Sequence, residues 1–399
     1  MKKLVALLLA LCMVACLFVG CAEEETKETK PVETEPVETE PVETEPVETE
    51  PVETEPVETE PNGDELVVPE GMNIALVTDV GNIDDKSFNQ GAWEGVVAFG
   101  DEYGVPYNYY RPSEDSDVAR VETIGTAIEK GANVIVCPGY LFETAVYDCQ
   151  AQYPDVKFLL LDGEPHTADY ATYETGANTM NILYKEEQSG FFAGYAAVMD
   201  GYRSLGFIGG IEVPAVQRFG FGFVQGADAA AAELGCADEI EIKYWYSGTF
   251  APDDAIKTKA AGWYTAGTEV IFACGGGIYV SICAAADEAD KAVIGVDKDQ
   301  YFESERIITS AMKDLTTSVK LALTDLCLAG GNWKDAGKTI VLGAAENCVG
   351  LPTADHSWRF NTYTVAEYEE LFAKVAAGEI AVSNAVEAPT VAVAVDYNA

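Results

Sequence analysis

Histidine is almost missing from this 399-residue chain, which carries only His166 and His356. That excludes a HExxH helix and any histidine-rich metal centre. Bases are scarce too: 24 Lys and Arg stand against 67 Asp and Glu, a net charge of −43, so the chain repels nucleic acid and anionic lipid surfaces. No CxxC pair and no GxSxG elbow occurs. Thiol redox and α/β-hydrolase chemistry therefore lack their motifs.

What is present is a signal, a spacer and a long apolar-patterned region. Lys2 and Lys3 precede an apolar run from Leu4 to Val19, the shape of a secretory signal and short for a bilayer span. The run ends at Phe18-Val19-Gly20-Cys21 and meets Glu23-Glu24-Glu25, so residues 1–21 resemble a lipoprotein signal with Cys21 as the acylated residue. Cys16 is the rival position. Seven cysteines remain beyond Cys21, at 137, 149, 236, 274, 283, 327 and 348. An odd number without paired spacing is no disulfide framework, and those in apolar runs act as small hydrophobes.

From Pro31 to Glu60 the pentad Pro-Val-Glu-Thr-Glu occurs six times. Like charges and a proline in every pentad forbid a packed core, so residues 22–70 are expected to form a disordered acidic linker that would reach roughly 150 Å when extended. Residues 71–399 keep a net charge of −28. Their composition, in a chain that is 48% hydrophobic, suffices for two domain cores.

Short apolar runs alternate there with helix-like stretches. Strands are expected at 73–77, 134–136, 157–161, 205–208, 240–246, 270–273 and 292–296. Helices are expected at 88–103, 143–152, 186–199, 222–234, 253–266 and 278–289. This order implies an α/β fold of two successive doubly wound parallel sheets. Ligands of such sheets bind beyond the carboxyl ends of the strands.

Asp79, Asp162 and Asp297 each follow an expected strand. An ionised carboxylate accepts hydrogen bonds from ribose hydroxyls or base N–H groups; each aspartate alone fits better as the N-cap of the next helix, but three at corresponding strand ends shift the balance to ligand binding. Phe88 and Phe250 are placed to hold a flat ring from both sides. Lys313 is placed to donate to a sugar hydroxyl or to pair with Asp297. Gly275-Gly276-Gly277 lies between a strand and a helix, where the backbone can approach a ligand closely and helix N–H groups are expected to point at it. It lacks both the phosphate-loop and the dinucleotide spacing.

The stretch from Thr78 to Gly95, with Asp84-Asp85-Lys86-Ser87-Phe88-Asn89-Gln90, resembles the signature of the basic membrane protein family of substrate-binding lipoproteins, which includes purine-nucleoside receptors of ABC transporters. Further blocks keep the family order: Glu186-Glu187-Gln188-Ser189-Gly190-Phe191-Phe192-Ala193-Gly194, Phe219 to Gly226, Ile294 to Gln300 and Thr309 to Lys313. The resemblance implies a type I periplasmic-binding-protein fold, two Rossmann-like lobes joined by a hinge around a ligand cleft. The first lobe would hold about 72–182 and 302–342, the second about 183–301 and 343–399. It implies ring stacking for Phe88 and Phe250, and a ligand site of Asp79, Phe88, Asn89, Asp162, Phe250, Gly275, Gly276, Asp297 and Lys313. The segment Ala251 to Thr258 has fewer Lys and Glu than is usual in the family.

The expected function is capture of a nucleoside, with a purine favoured, and its delivery to an ABC permease by a monomeric, membrane-anchored protein that needs no cofactor or metal. A flavin or another ring-bearing metabolite, or a sensing role, fits the same resemblance. An enzyme on a Rossmann-like fold is the competing class, without a nucleophile constellation to support it. Cys21→Ala should leave the protein unprocessed or release it into the medium, as scored by detergent partitioning. A processed mutant that still partitions into detergent would refute acylation at Cys21.

Overall fold

The computed structural model describes residues 66–399; Cys21 and all six pentads lie outside the described residues. Five strands open the first lobe: β1 (Ile74–Val77), β2 (Tyr107–Tyr110), β3 (Val134–Pro138), β4 (Lys157–Leu161) and β5 (Thr179–Tyr184). With β11 (Thr339–Leu342) they form a parallel sheet in the order β11-β5-β4-β3-β1-β2. Parallel strands are covered on both faces, and residue parity divides the two cores. Ile74 and Leu76 pack with α1 (Phe88–Tyr103) and α8 (Leu315–Leu328). Ala75 and Val77 pack with α2 (Asp117–Glu129) and the segment from Phe142 into α3 (Glu143–Gln152).

The second lobe repeats the plan. Its strands β6 (Ser204–Gly209), β7 (Glu241–Tyr246), β8 (Val270–Cys274), β9 (Ala292–Asp297) and β10 (Ile307–Lys313) stand in the order β7-β6-β8-β9-β10. An antiparallel β12 (Val349–Gly350) extends one edge and β13 (Ala394–Asp396) the other. Helices α4 (Glu186–Met199) and α5 (Pro214–Leu234) join the core on one face, α6 (Asp254–Thr265) and α7 (Tyr279–Ala289) that on the other. Helix α9 (Val365–Ala376) packs beside α4. In each lobe the strand order reverses once, between β1 and β3 and between β6 and β8, and those two points define where a ligand cleft forms.

The expected lobe boundaries require correction. Strand β5 continues to Tyr184 in the first sheet. Residues 307–313 pair with β9 and so belong to the second lobe, not to the first as 302–342 implied. An apolar run shows that a strand exists but not which of two sheets takes it. The chain therefore crosses between lobes at Lys185, at Asp314 and between Leu342 and Val349. Backbone bonds tie these crossings together: Lys185 donates to the Leu342 carbonyl at 2.9 Å and Asp314 to that of Cys348 at 2.8 Å.

Helix α5 begins at Pro214, eight residues before the expected Gly222. Proline fits the first helical position, while Gly220 and Gly222 depress the propensity of the turns that follow. Packing is the reason those glycines stand there. A Cβ on Gly190 or Gly194 of α4 would lie 2.0 Å from the carbonyl oxygen of Phe219 or Phe223, and one on Gly222 or Gly226 of α5 would lie 2.1 or 1.9 Å from that of Glu187 or Phe191. The two helices thus meet backbone to backbone. Gly194→Ala should lower the unfolding free energy by about 3 kcal/mol through overpacking. Gly262→Ala, facing open space on α6, should raise it by up to about 1 kcal/mol. Urea denaturation of the two variants checks both signs.

Candidate functional site

Because both sheets point the carboxyl ends of their strands at the same space, the loops after β1, β3 and β4 meet those after β6, β7, β8 and β9 in one cleft. It holds about 730 Å³ of empty space, the open mouth included. Asp79, Phe88, Asn89, Asp162, Phe250, Gly275, Gly276, Asp297 and Lys313 all line it. The first four come from one lobe and the other five from its counterpart.

None of the three aspartates is a helix cap; the caps next to them are other residues. Asp162, just after the fourth strand of the first lobe, and Asp297, the last residue of the fourth strand of the second, lie in the left-handed region at φ of 57° and 63°. Aspartate tolerates that conformation better than most residues, and such positions gather at functional sites. Asp79 Oδ1 accepts hydrogen bonds from the Gly81 N–H at 2.6 Å and from Asn89 Nδ2 at 2.8 Å. Asp297 Oδ2 accepts one from Ser87 Oγ at 2.5 Å. Among the described residues no group donates a hydrogen bond to Asp79 Oδ2, Asp162 Oδ1 or Asp297 Oδ1. Three acceptor oxygens are thus unshared.

Lys313, only 4% exposed, is the one cation among the lining residues. Its Nζ contacts Asp162 Oδ2, lies 3.3 Å from Glu186 Oε1 and stands 4.0 Å from Asp297 Oδ1. The expected pairing with Asp297 is therefore the loosest of three, because Asp162 and Glu186 reach the ammonium first. Burial alone would lower the Lys313 pKa, but the three carboxylates raise it above the usual lysine value. The ammonium also lies 4.7 Å from the Phe88 ring centroid, occupying one face of that ring.

Burial pushes the carboxyls upward. Asp79 rises to about 6 through desolvation, against the lowering effect of its bonds to Gly81 and Asn89. Asp162 and Asp297 are raised by burial and held back chiefly by Lys313. Glu186 goes the other way: burial would raise it, but Arg218 and Lys313 hold it below the usual carboxylate range.

Asn89 is a positioning residue for the loop, with Nδ2 shared between Asp79 Oδ1 and Asp85 Oδ2. The glycines after β8 seat Phe250. A Cβ on Gly275 would fall 2.9 Å from the Phe250 ring, one on Gly210 would fall 2.3 Å from it, and the Gly277 N–H bonds the Phe250 carbonyl at 2.8 Å. That N–H is consumed by the protein, so the glycine loop holds a ring where a helix terminus facing ligand was expected.

Asp85, Tyr140, Val213, Val216 and Phe219 also line the cleft and were not singled out from sequence. Asp85 had a signal, an acid just before a helix start. Tyr140 had one in its place after β3. Phe219 was hidden by the late start assigned to α5.

The family model described as "ABC transporter substrate-binding protein PnrA-like" matches residues 72–384. A "CD4+ T-cell-stimulating antigen" of Listeria monocytogenes is 29% identical over 330 residues, covering 77% of this chain and 87% of that protein. The "ABC transporter nucleoside-binding protein BmpA" of Lactococcus lactis is 28% identical, covering 70% and 81%. A solute-binding protein structure from Aeropyrum pernix K1 superposes with a TM-score of 0.64 at 22% identity, over 78% of this chain and 92% of that one. One from Conexibacter woesei gives 0.61 at 20% identity, over 78% and 99%. Both share the two-lobed type I fold. On the strength of the match over residues 72–384, the chain belongs to the PnrA-like family of ABC transporter substrate-binding proteins, receptors that hand a small molecule to a permease and are not enzymes.

Proposed function

We propose that this protein is a purine-nucleoside receptor, anchored by lipid at Cys21 on the extracytoplasmic face and acting as a monomer. One observation carries the choice of ligand. Asp79 Oδ2, Asp162 Oδ1 and Asp297 Oδ1 are acceptors without protein donors, in a cleft that also holds Phe88 and Phe250 from opposite lobes. A ligand that satisfies them must carry several O–H or N–H donors and a flat ring, as a nucleoside does. A phosphate finds no unpaired cation among the lining residues, since Lys313 is already held by carboxylates. The nucleoside named for the Lactococcus lactis relative agrees with this reading.

Titration calorimetry with inosine, guanosine, adenosine, cytidine and their monophosphates should show purine nucleosides binding more tightly than cytidine, and every monophosphate more weakly than its nucleoside. Asp297→Ala should cost about ten- to a hundredfold in affinity, the range for a hydrogen bond to a charged group. Phe88→Ala should cost about as much through lost stacking. A monophosphate that binds as tightly as its nucleoside would overturn the electrostatic argument.

The pH dependence has opposite signs for binding and for stability. Folding raises the Asp79 pKa from 3.8 to about 6, so the native state holds this proton more tightly than the unfolded chain does. The Asp79 contribution to stability is therefore fully present below about pH 4 and is lost as pH rises to about 6. Nucleoside binding to the ionised group should instead strengthen as pH rises through about 6. Asp79→Asn should flatten the binding profile around pH 6, and it should raise the unfolding temperature at pH 7.5 but not at pH 4. Calorimetry in both modes tests this.

A further inference from the structure

Ser87 is the N-cap residue of α1, a position where a serine usually bonds its own helix. Here its side chain makes no capping bond, because Asp85 has taken over that work. Asp85 Oδ1 accepts the Ser87 and Gln90 N–H groups at 2.9 and 3.1 Å, and its Oδ2 accepts that of Asn89 at 3.1 Å. The released Ser87 hydroxyl donates to Asp297 Oδ2 across the lobe boundary at 2.5 Å. Ser87 is fully buried and does not line the cleft.

Two further bonds join the same segments. Gln300 accepts the Val296 N–H of its own lobe on Oε1 at 3.1 Å and donates from Nε2 to the Lys86 carbonyl of the other lobe at 2.9 Å. Lys86 presents that carbonyl from a left-handed backbone, φ 58°. Lys298 pairs with Glu94 at the rim, where partial exposure weakens the pair. Each of these bonds joins a segment of the first lobe to one of the second, so separating the lobes must break all three. Of these three the Ser87 bond is the one with a buried, charged acceptor, which makes it the strongest of them; the buried Lys313–Asp162 pair also joins the lobes.

From this arrangement we infer that Ser87 is a positioning residue that couples ligand capture to lobe closure, an inference that rests on the receptor reading above. Asp297 has two oxygens with separate duties. Oδ2 is satisfied by Ser87 only when the lobes are together, and Oδ1 is left for the ligand. A donor on Oδ1 therefore fixes the carboxylate in the orientation that Ser87 needs, and the Ser87 bond must break before the ligand leaves. Removing the hydroxyl should speed release far more than it slows capture, without altering which ligand is preferred.

The test uses full-length protein in detergent, with stopped-flow release of inosine from wild type, Ser87→Ala and Ser87→Thr. Ser87→Ala should release inosine about tenfold faster, the effect of about 1.4 kcal/mol, with the order of preference among nucleosides unchanged. Ser87→Thr, which keeps the hydroxyl, should stay near wild type. Release from Ser87→Ala within twofold of wild type would overturn the inference. Should the wild-type chain bind no nucleoside, the receptor reading fails, and amide exchange of the protein alone decides the latch. Faster exchange of residues 84–92 and 294–301 in Ser87→Ala would support it, and unchanged exchange would sink it.

Discussion

A buried ammonium is the constraint on which the rest of this structure turns. Taking a lysine out of water costs several kcal/mol unless opposite charges surround it. Lys313 meets that demand with Asp162 from the first lobe, Glu186 from the helix that follows the first crossing, and Asp297 from the second lobe. Its own position, the last residue of β10, is one step before the chain crosses back. Any arrangement that separates these four groups strands a charge in an apolar setting. The hinge, the cleft floor and the carboxylates lining it are therefore one electrostatic unit, and those carboxylates cannot be altered independently.

The lobes around that unit are two copies of one design. In each, the third strand leads into a left-handed glycine, Gly139 at φ 114° or Gly275 at φ 148°, then a short 3-10 turn and a helix. A left-handed aspartate stands at the end of the fourth, Asp162 just after β4 or Asp297 as the last residue of β9. Facing the two copies gives the cleft quasi-symmetric acceptors while the side chains between them differ. Tyr140 follows the glycine in one lobe, where the other has a second glycine that makes room for Phe250. The tight α4–α5 contact serves the same end. A lobe whose helices touch backbone to backbone resists internal deformation, so motion is directed into the three crossings.

Strand ends and apolar runs are local properties, and they were legible. Helices at Phe88–Tyr103, Glu143–Gln152 and Glu186–Met199 coincide with the expected spans, and the nine expected ligand residues all line one cleft. What could not be read depends on partners far apart in the chain. Strand β10 looks the same whichever sheet receives it. The start of α5 is written in glycines that oppose helix formation unless α4 lies against them. The role of Ser87 is set by Asp297, 210 residues away, and by Asp85 usurping its cap. Propensity reports neither.

The same geometry explains why the carboxylates point to binding without chemistry. A general acid or base must sit beside a group to be attacked or protonated, yet the nearest neighbours of these oxygens are an ammonium, a serine hydroxyl and an asparagine amide that hold them in place. Their raised pKa values follow from burial and carry a cost. Of the three acceptor oxygens without donors, Asp162 Oδ1 is sealed from water, a desolvation penalty of about 1–3 kcal/mol or more. A ligand that brings donors to all three offsets that penalty as the lobes meet, whereas a ligand lacking one donor leaves an acceptor buried and unmatched. Selectivity in such a site arises from the penalty for incomplete ligands at least as much as from attraction to the right one.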